Sequence, residues 1–208
     1  MKRMDNIVIL ANGLFPGTRQ CLDVLKSAGK VICCDGAADK LLDAGLTPDA
    51  IVGDMDSVSE RIRNQHAAIM VRSNDQDSND LTKAVHYCIE NEYPSVVILG
   101  ATGLREDHTL GNISLMLEYS PRIHVRIMSD YGIFSLLRSG EKVKSYPGEK
   151  ISVFSIDNTV SITSIGLKYS LNNLQLSSWY TATLNESVSD TFSLVFNSTQ
   201  PLILYRAW

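Results

Sequence analysis

Residues 31–44 read VICCDGAADKLLDA: an apolar run, Val31-Ile32-Cys33-Cys34, then Asp35-Gly36, then an alanine-rich segment opening at Ala37-Ala38. The run has strand length, Asp35-Gly36 marks a sharp exit, and 37–44 suits a helix. The same order recurs along the first two thirds of the chain. Strand-length apolar runs fall at 7–10, 50–52, 68–71, 96–99 and 124–128, and helical candidates at 18–28, 81–92 and 112–119. Leu81, Val85, Cys88 and Ile89 share one helical face. Strands alternating with helices predict an α/β domain with a mostly parallel sheet flanked by helices.

From about Ser139 the character changes. Stretches 150–156, 159–165 and 191–196 alternate in polarity, and Pro147-Gly148, Asp157-Asn158, Asn172-Asn173 and 197–201 supply turns. Alternation with a turn every 8–12 residues predicts a small all-β sandwich. The expected organisation is a Rossmann-like α/β domain over residues 1–138 followed by a β-sandwich over 139–208.

The chain has 208 residues, 44% hydrophobic and 20% charged, which excludes wholesale disorder. Its formal charge is −4, carried by residues 1–139 with 18 acids and 14 bases. Gripping many phosphates of a nucleic acid calls for a basic excess, so no nucleic-acid partner is expected. The strongest apolar run, Val96-Val97-Ile98-Leu99, falls far short of the roughly 20 residues that span a bilayer, so no membrane partner is expected either. The apolar stretch after the charged start covers only residues 7–11, too short for a secretory signal. Cys21, Cys33, Cys34 and Cys88 form no CxxC pair and read as buried thiols of a reducing compartment, with the cytoplasm expected.

Five polar clusters follow the predicted strands: Asn12-Gly13, Asp35-Gly36-Ala37-Ala38, Gly53-Asp54-Met55-Asp56-Ser57, Asp75-Gln76-Asp77-Ser78-Asn79-Asp80 and the run from Gly100 to His108. In an open parallel sheet, ligands bind beyond the carboxyl ends of the strands. On an extended chain Asp54 and Asp56 would point to one side, and two such carboxylates suit a hard cation such as Mg²⁺. The same loop also reads as a cap for the next helix, and Asn79 or Asp80 as the cap of the 81–92 helix. Gly100, Gly103 and Arg105 suit phosphate, since glycine admits close backbone approach and arginine binds bidentately. His108 reads equally as a helix-start residue or a catalytic one. Neither GxxxxGK[ST] nor a GxGxxG after the first strand is present, nor the GxSxG of hydrolases.

Taken in order, Asp35-Gly36-Ala37-Ala38, the stretch from Pro48 to Ser57, the stretch from Asp75 to Ala84, Gly103-Leu104-Arg105-Glu106-Asp107-His108 and Gly166-Leu167-Lys168-Tyr169-Ser170-Leu171 resemble the thiamine pyrophosphokinase family. The resemblance implies transfer of the diphosphate of ATP to the hydroxyl of thiamine, giving thiamine diphosphate and AMP, in a homodimer. It implies that Asp54, Asp56 and Asp80 hold Mg²⁺. Asp35, Gly36, Asp77, Lys83, Gly103, Arg105 and His108 would serve ATP binding, with Arg105 on phosphate. Asp107 would orient the hydroxyl or take its proton. Thr183 and Asn185 would serve thiamine; Leu184 stands between them and the family's usual Ser is absent. That departure keeps one alternative in view, diphosphate transfer to another heterocyclic alcohol; a non-enzymatic thiamine or nucleotide sensor that keeps the fold without turnover is a separate alternative.

Overall fold

The computed structural model describes residues 6–73, 75 and 77–208. Gln76 and the charged start at residues 1–5 lie outside the described residues. The chain forms two compact units, the first ending at Asp130 and the second spanning Tyr131–Trp208.

The first unit runs β1 (Ile7–Leu10), α1 (Arg19–Lys26), β2 (Lys30–Cys34), α2 (Ala37–Asp43), β3 (Ala50–Gly53), α3 (Glu60–Gln65), β4 (Met70–Arg72), α4 (Asp80–Glu90), β5 (Ser95–Leu99), α5 (Glu106–Tyr119) and β6 (His124–Ser129). All its strand pairs are parallel, in the order β6-β5-β1-β2-β3-β4. Every residue of β1 and β3 is buried, as strands covered on both faces require. The apolar runs are therefore continuous rather than alternating.

Local chemistry starts the helices. Thr18 caps α1, Ser59 caps α3 and Asn79 caps α4, each side-chain oxygen accepting a backbone N–H of the first turn. The apolar face of α4 buries Leu81, Ala84, Val85 and Cys88. Two helices depart from expectation. The short α3 has too few apolar positions to show a period. α5 begins at Glu106, well before the expected residue 112. Its first turn carries Glu106 and Asp107, whose charges favour a helix N-terminus, while Arg105 precedes it without a side-chain cap.

The second unit opens one strand earlier than residue 139. β7 (Gly132–Leu137) pairs antiparallel along its whole length with β14 (Leu202–Ala207), which binds it to the sandwich. The shift to Ser- and Thr-rich sequence begins only after β7, and that misplaced the expected boundary. Between them come β8 (Lys142–Lys144), β9 (Lys150–Phe154), β10 (Ser161–Ile165), β11 (Leu174–Gln175), β12 (Ala182–Glu186) and β13 (Thr191–Phe196). Within this unit β12-β9-β14-β7 form one antiparallel layer and β11-β10-β13-β8 the other. Leu137, Ile151, Val153, Leu202 and Leu204 of the first layer meet Ile162, Phe192, Leu194 and Phe196 of the second in one core. Burying a side chain such as Phe192 contributes about 2–3 kcal/mol.

Candidate active site

The chain builds outward from β1 to β4, then returns to place β5 on the other side of β1. This reversal makes the carboxyl ends of β1 and β5 the topological switch point, where doubly wound sheets bind ligands. There the two loops stay laced together, with Gly13 N–H donating to the Gly100 carbonyl at 2.7 Å and Leu14 N–H to that of Thr102 at 2.9 Å. A Cβ at Gly13 would lie 2.3 Å from the Gly100 oxygen, so this crossing demands glycine. Lys40 of α2 reinforces the loop, its Nζ donating to the carbonyls of Asn12 and Gly13 at 3.0 and 2.9 Å. Above them opens a cleft of about 380 Å³, lined among others by Asn12, Gly13, Ser57, Asn79, Asp80, Arg105, His108 and Asn112. Cys34 lies in its wall, and burial pushes that thiol well up, which leaves it a protonated packing group rather than a nucleophile.

Three carboxylates gather at the end of β3, around Gly53. A Cβ there would lie 3.0 Å from Asp35 Cβ and 3.3 Å from Asp80 Oδ1. Asp35, at the end of β2 with φ +31°, is 2% exposed. Its Oδ2 accepts the Ser57 N–H at 3.2 Å, while its buried Oδ1 has no hydrogen-bond partner among the described residues. Burial, with Asp80 and Asp54 adding repulsion against the Ser57 hydrogen bond, pushes its carboxyl up to about 6. Lys83, one turn into α4, brings its ammonium 3.1 Å from Asp80 Oδ1 and 3.9 Å from Asp54 Oδ2. Burial pulls that ammonium down, but the hydrogen bond and charge of Asp80, with Asp54 and Asp75, prevail and hold it above its ordinary value.

The Asp54-Met55-Asp56 segment is not extended. Met55 takes φ +73° and Asp56 N–H donates to Asp54 Oδ1 at 3.0 Å, folding the chain into an Asx turn. That hydrogen bond, followed by Lys83, draws the Asp54 carboxyl below its usual range. The alternation argument for Asp54 and Asp56 therefore fails: the structure joins Asp54 to Asp80 through Lys83 and leaves Asp56 exposed. Neither Asp56 nor Asp80 caps the following helix, a role taken by Ser59 and Asn79. Asp77 is also exposed, its N–H donating to Asp75 Oδ1 at 2.9 Å.

On the other wall, Gly103 (φ +89°) turns the loop against Leu14, and Arg105 pairs bidentately with Asp107. Arg105 and the N–H of His108 hold the exposed Asp107 carboxyl down to about 2, so it is a poor proton acceptor while the pair lasts. Gly36 approaches Asn12: a Cβ would lie 2.9 Å from its Nδ2. In the second unit, buried Asn185 accepts the Tyr169 N–H and donates to the Tyr169 carbonyl, while Thr183 Oγ1 donates to the Tyr180 carbonyl. Both side chains thus shape their own loops.

The residue reading missed Lys40 and Asn112. Asn112 donates to the Ala101 carbonyl at 2.8 Å and accepts from Asn79 at 3.4 Å, bridging the two walls. Its spacing of four from His108 would have placed it on the same helical face, had the helix start been recognised. Among the described residues no group of three or more His, Cys, Asp or Glu stands in metal-holding geometry. The donor chemistry nevertheless fits a hard cation: carboxylate oxygens from three residues, one buried and without partner, outnumber the single ammonium.

Residues 21–128 match the family Thiamin pyrophosphokinase, catalytic domain, and residues 132–205 match Thiamin pyrophosphokinase, substrate-binding domain. Thiamine pyrophosphokinase of Bacillus subtilis (strain 168) is 32% identical over 148 residues, covering 65% of this chain and 67% of that protein. Thiamine pyrophosphokinase 1 of Oryza sativa subsp. japonica is 29% identical over 176 residues, covering 70% and 67%. The crystal structure of the Bacillus subtilis protein aligns with a TM-score of 0.78 at 28% identity, over 97% of this chain and 98% of that one. A family protein from Enterococcus faecalis, with a TM-score of 0.81 at 19% identity over 98% and 99% of the chains, shares the fold. An α/β unit that matches a catalytic domain and a β-rich unit that matches its substrate-binding domain make the chain a kinase-type transferase. The chain belongs to the thiamin pyrophosphokinase family.

Proposed function

We propose that this enzyme transfers the diphosphate of ATP to the hydroxyl of thiamine, releasing AMP. The observation that carries the reading is the meeting of Asp80 and Arg105 in one cleft at the switch point of a chain in this family. Attack on the β-phosphorus needs in-line positioning and compensation of charge on the phosphate oxygens. Arg105, exposed and lining the cleft, reaches phosphate by exchanging Asp107 for it, and Gly36, Gly103 and His108 complete the nucleotide site with Asp35, Asp77 and Lys83. That exchange frees Asp107, whose carboxylate then orients the thiamine hydroxyl or takes its proton. Asp54, Asp56 and Asp80 would hold Mg²⁺, with the partnerless Oδ1 of Asp35 beside them; a bound ion would supply neutralisation of phosphate charge.

Thiamine carries a cationic thiazolium, which an acidic cleft attracts. In the second unit Thr183 and Asn185 serve the thiamine surface, Asn185 by fixing the backbone under the exposed Tyr169 ring. Tyr169, Tyr180 and Leu184, each more than half exposed in the second unit, are the side chains a homodimer would cover. The four thiols, all buried and free, support the cytoplasm as the working compartment. The test is a chromatographic assay with ATP, Mg²⁺ and thiamine. Equal amounts of thiamine diphosphate and AMP are expected, whereas thiamine monophosphate with ADP overturns the transfer of a diphosphate.

A further inference from the structure

Lys83 stands where a positive charge is wanted before any ion or substrate arrives. Its side chain is 5% exposed, whereas those of its two partners are 34% (Asp80) and 31% (Asp54) exposed. The ammonium therefore lies behind the carboxylates, supported from within the fold by the first turn of α4, while the acids keep a side open to solvent. Asp35, with a buried oxygen that has no partner among the described residues, adds a third carboxyl to the same group. Without Lys83 the three acids would repel one another, offset only in part by the N–H groups of Ser57 on Asp35 and Asp56 on Asp54.

Given that Asp54 and Asp80 belong to the ion site proposed above, we infer that Lys83 is a built-in counter-ion that holds these two carboxylates together in the free enzyme and competes with the divalent cation for them. The consequence is an order of binding. A divalent ion alone meets a pair of acids already neutralised in part, and is repelled by the ammonium beside them. When the ion arrives with the polyphosphate of a nucleotide, the phosphate oxygens offer Lys83 another anion, and the carboxylates become available. Lys83 thereby couples metal affinity to nucleotide occupancy, and by linkage the nucleotide binds more tightly with the ion by the same factor. Lys83 thus acts on the metal through Asp54 and Asp80, and on the nucleotide by direct contact with phosphate.

The test reads Mn²⁺ binding directly, by electron paramagnetic resonance of the free ion, in the wild type, Lys83→Met and Lys83→Arg, with and without a non-hydrolysable ATP analogue. Lys83→Met is expected to bind Mn²⁺ about tenfold more tightly than the wild type without nucleotide, since it removes a positive charge within about 4 Å of the site. Lys83→Arg, which keeps the charge, should stay within about threefold of the wild type. The analogue should strengthen Mn²⁺ binding markedly in the wild type and far less in Lys83→Met. Equal or weaker Mn²⁺ binding by a natively folded Lys83→Met overturns the inference, as does Lys83→Arg behaving like Lys83→Met. Should Lys83→Met not fold, Lys83→Gln replaces it, and a wild-type Mn²⁺ affinity that ignores the analogue is by itself refuting. Thiamine takes no part, so an enzyme that shows this coupling but does not make thiamine diphosphate would refute the proposed activity and leave the role of Lys83 standing.

Discussion

Replacing Asp35 by Asn should make the metal-free protein more stable, at the expense of its chemistry. Asp35 is 2% exposed, and its carboxyl is raised from an ordinary 3.8 to about 6 by burial and by Asp80 and Asp54. A raised acid works against the fold at high pH. Below about 3.8 the group is neutral whether folded or not, and contributes no difference. Between 3.8 and 6 the unfolded chain ionises while the folded chain resists, so stability falls as pH rises; above 6 the penalty is constant. About two pH units correspond to roughly 3 kcal/mol at most. Asn keeps an oxygen for the Ser57 N–H and turns an amide donor toward the acids, so Asp35→Asn should recover most of that penalty above pH 6 and little near pH 3.5. In a unit of this size each kcal/mol moves the thermal midpoint by about 2–4 °C. Melting curves in EDTA across the pH series should therefore show the variant rising by several degrees at pH 8 and converging with the wild type in acid. A variant that melts lower at pH 8, or a difference independent of pH, would refute the electrostatic reasoning.

Other consequences follow from single contacts. Gly13→Ala sets a Cβ 2.3 Å from the Gly100 carbonyl oxygen and should cost about 1–3 kcal/mol, read as a lower melting temperature with a raised KM for ATP. Asp130 accepts the N–H groups of Gly17 and Thr18 and the Thr18 hydroxyl, fixing the loop between β1 and α1; Asp130→Ala should lose about 1–3 kcal/mol by chemical denaturation. Arg105→Ala should let the Asp107 carboxyl climb from about 2 toward its ordinary 3.8, measurable by carbon NMR titration, and an unmoved titration would refute the pairing.

The inner part of the first unit's sheet was legible because β1, β2, β3 and β5 are buried on both faces, which leaves continuous runs such as Val96–Leu99 between polar turns, whereas the edge strands β4 and β6 are partly exposed. β7 was not, because Gly132–Leu137 precedes the change in composition that marked the boundary. The acidic loops advertised a site, but not its internal wiring. Met55 in a left-handed conformation folds Asp54 and Asp56 into an Asx turn in place of the expected extended pair, and methionine carries no signal for that conformation. The resemblance places Lys83 at ATP but says nothing of the acids; only the packing of α4 against β3 sets its ammonium between Asp54 and Asp80. Asn112 was hidden by the late start assigned to α5, since without Glu106 and Asp107 in the helix its phase relative to His108 had no meaning.

The most direct measurement of the central claim is single-turnover formation of thiamine diphosphate by Asp80→Asn, an almost isosteric change in the acid shared by the cleft and Lys83. Product formation should fall at least about a thousandfold, as expected when charge organisation around a transferring phosphoryl group is lost, while circular dichroism and the melting profile stay those of a folded protein. Turnover within a few fold of the wild type in that folded variant would contradict the assignment of this cleft as the active site.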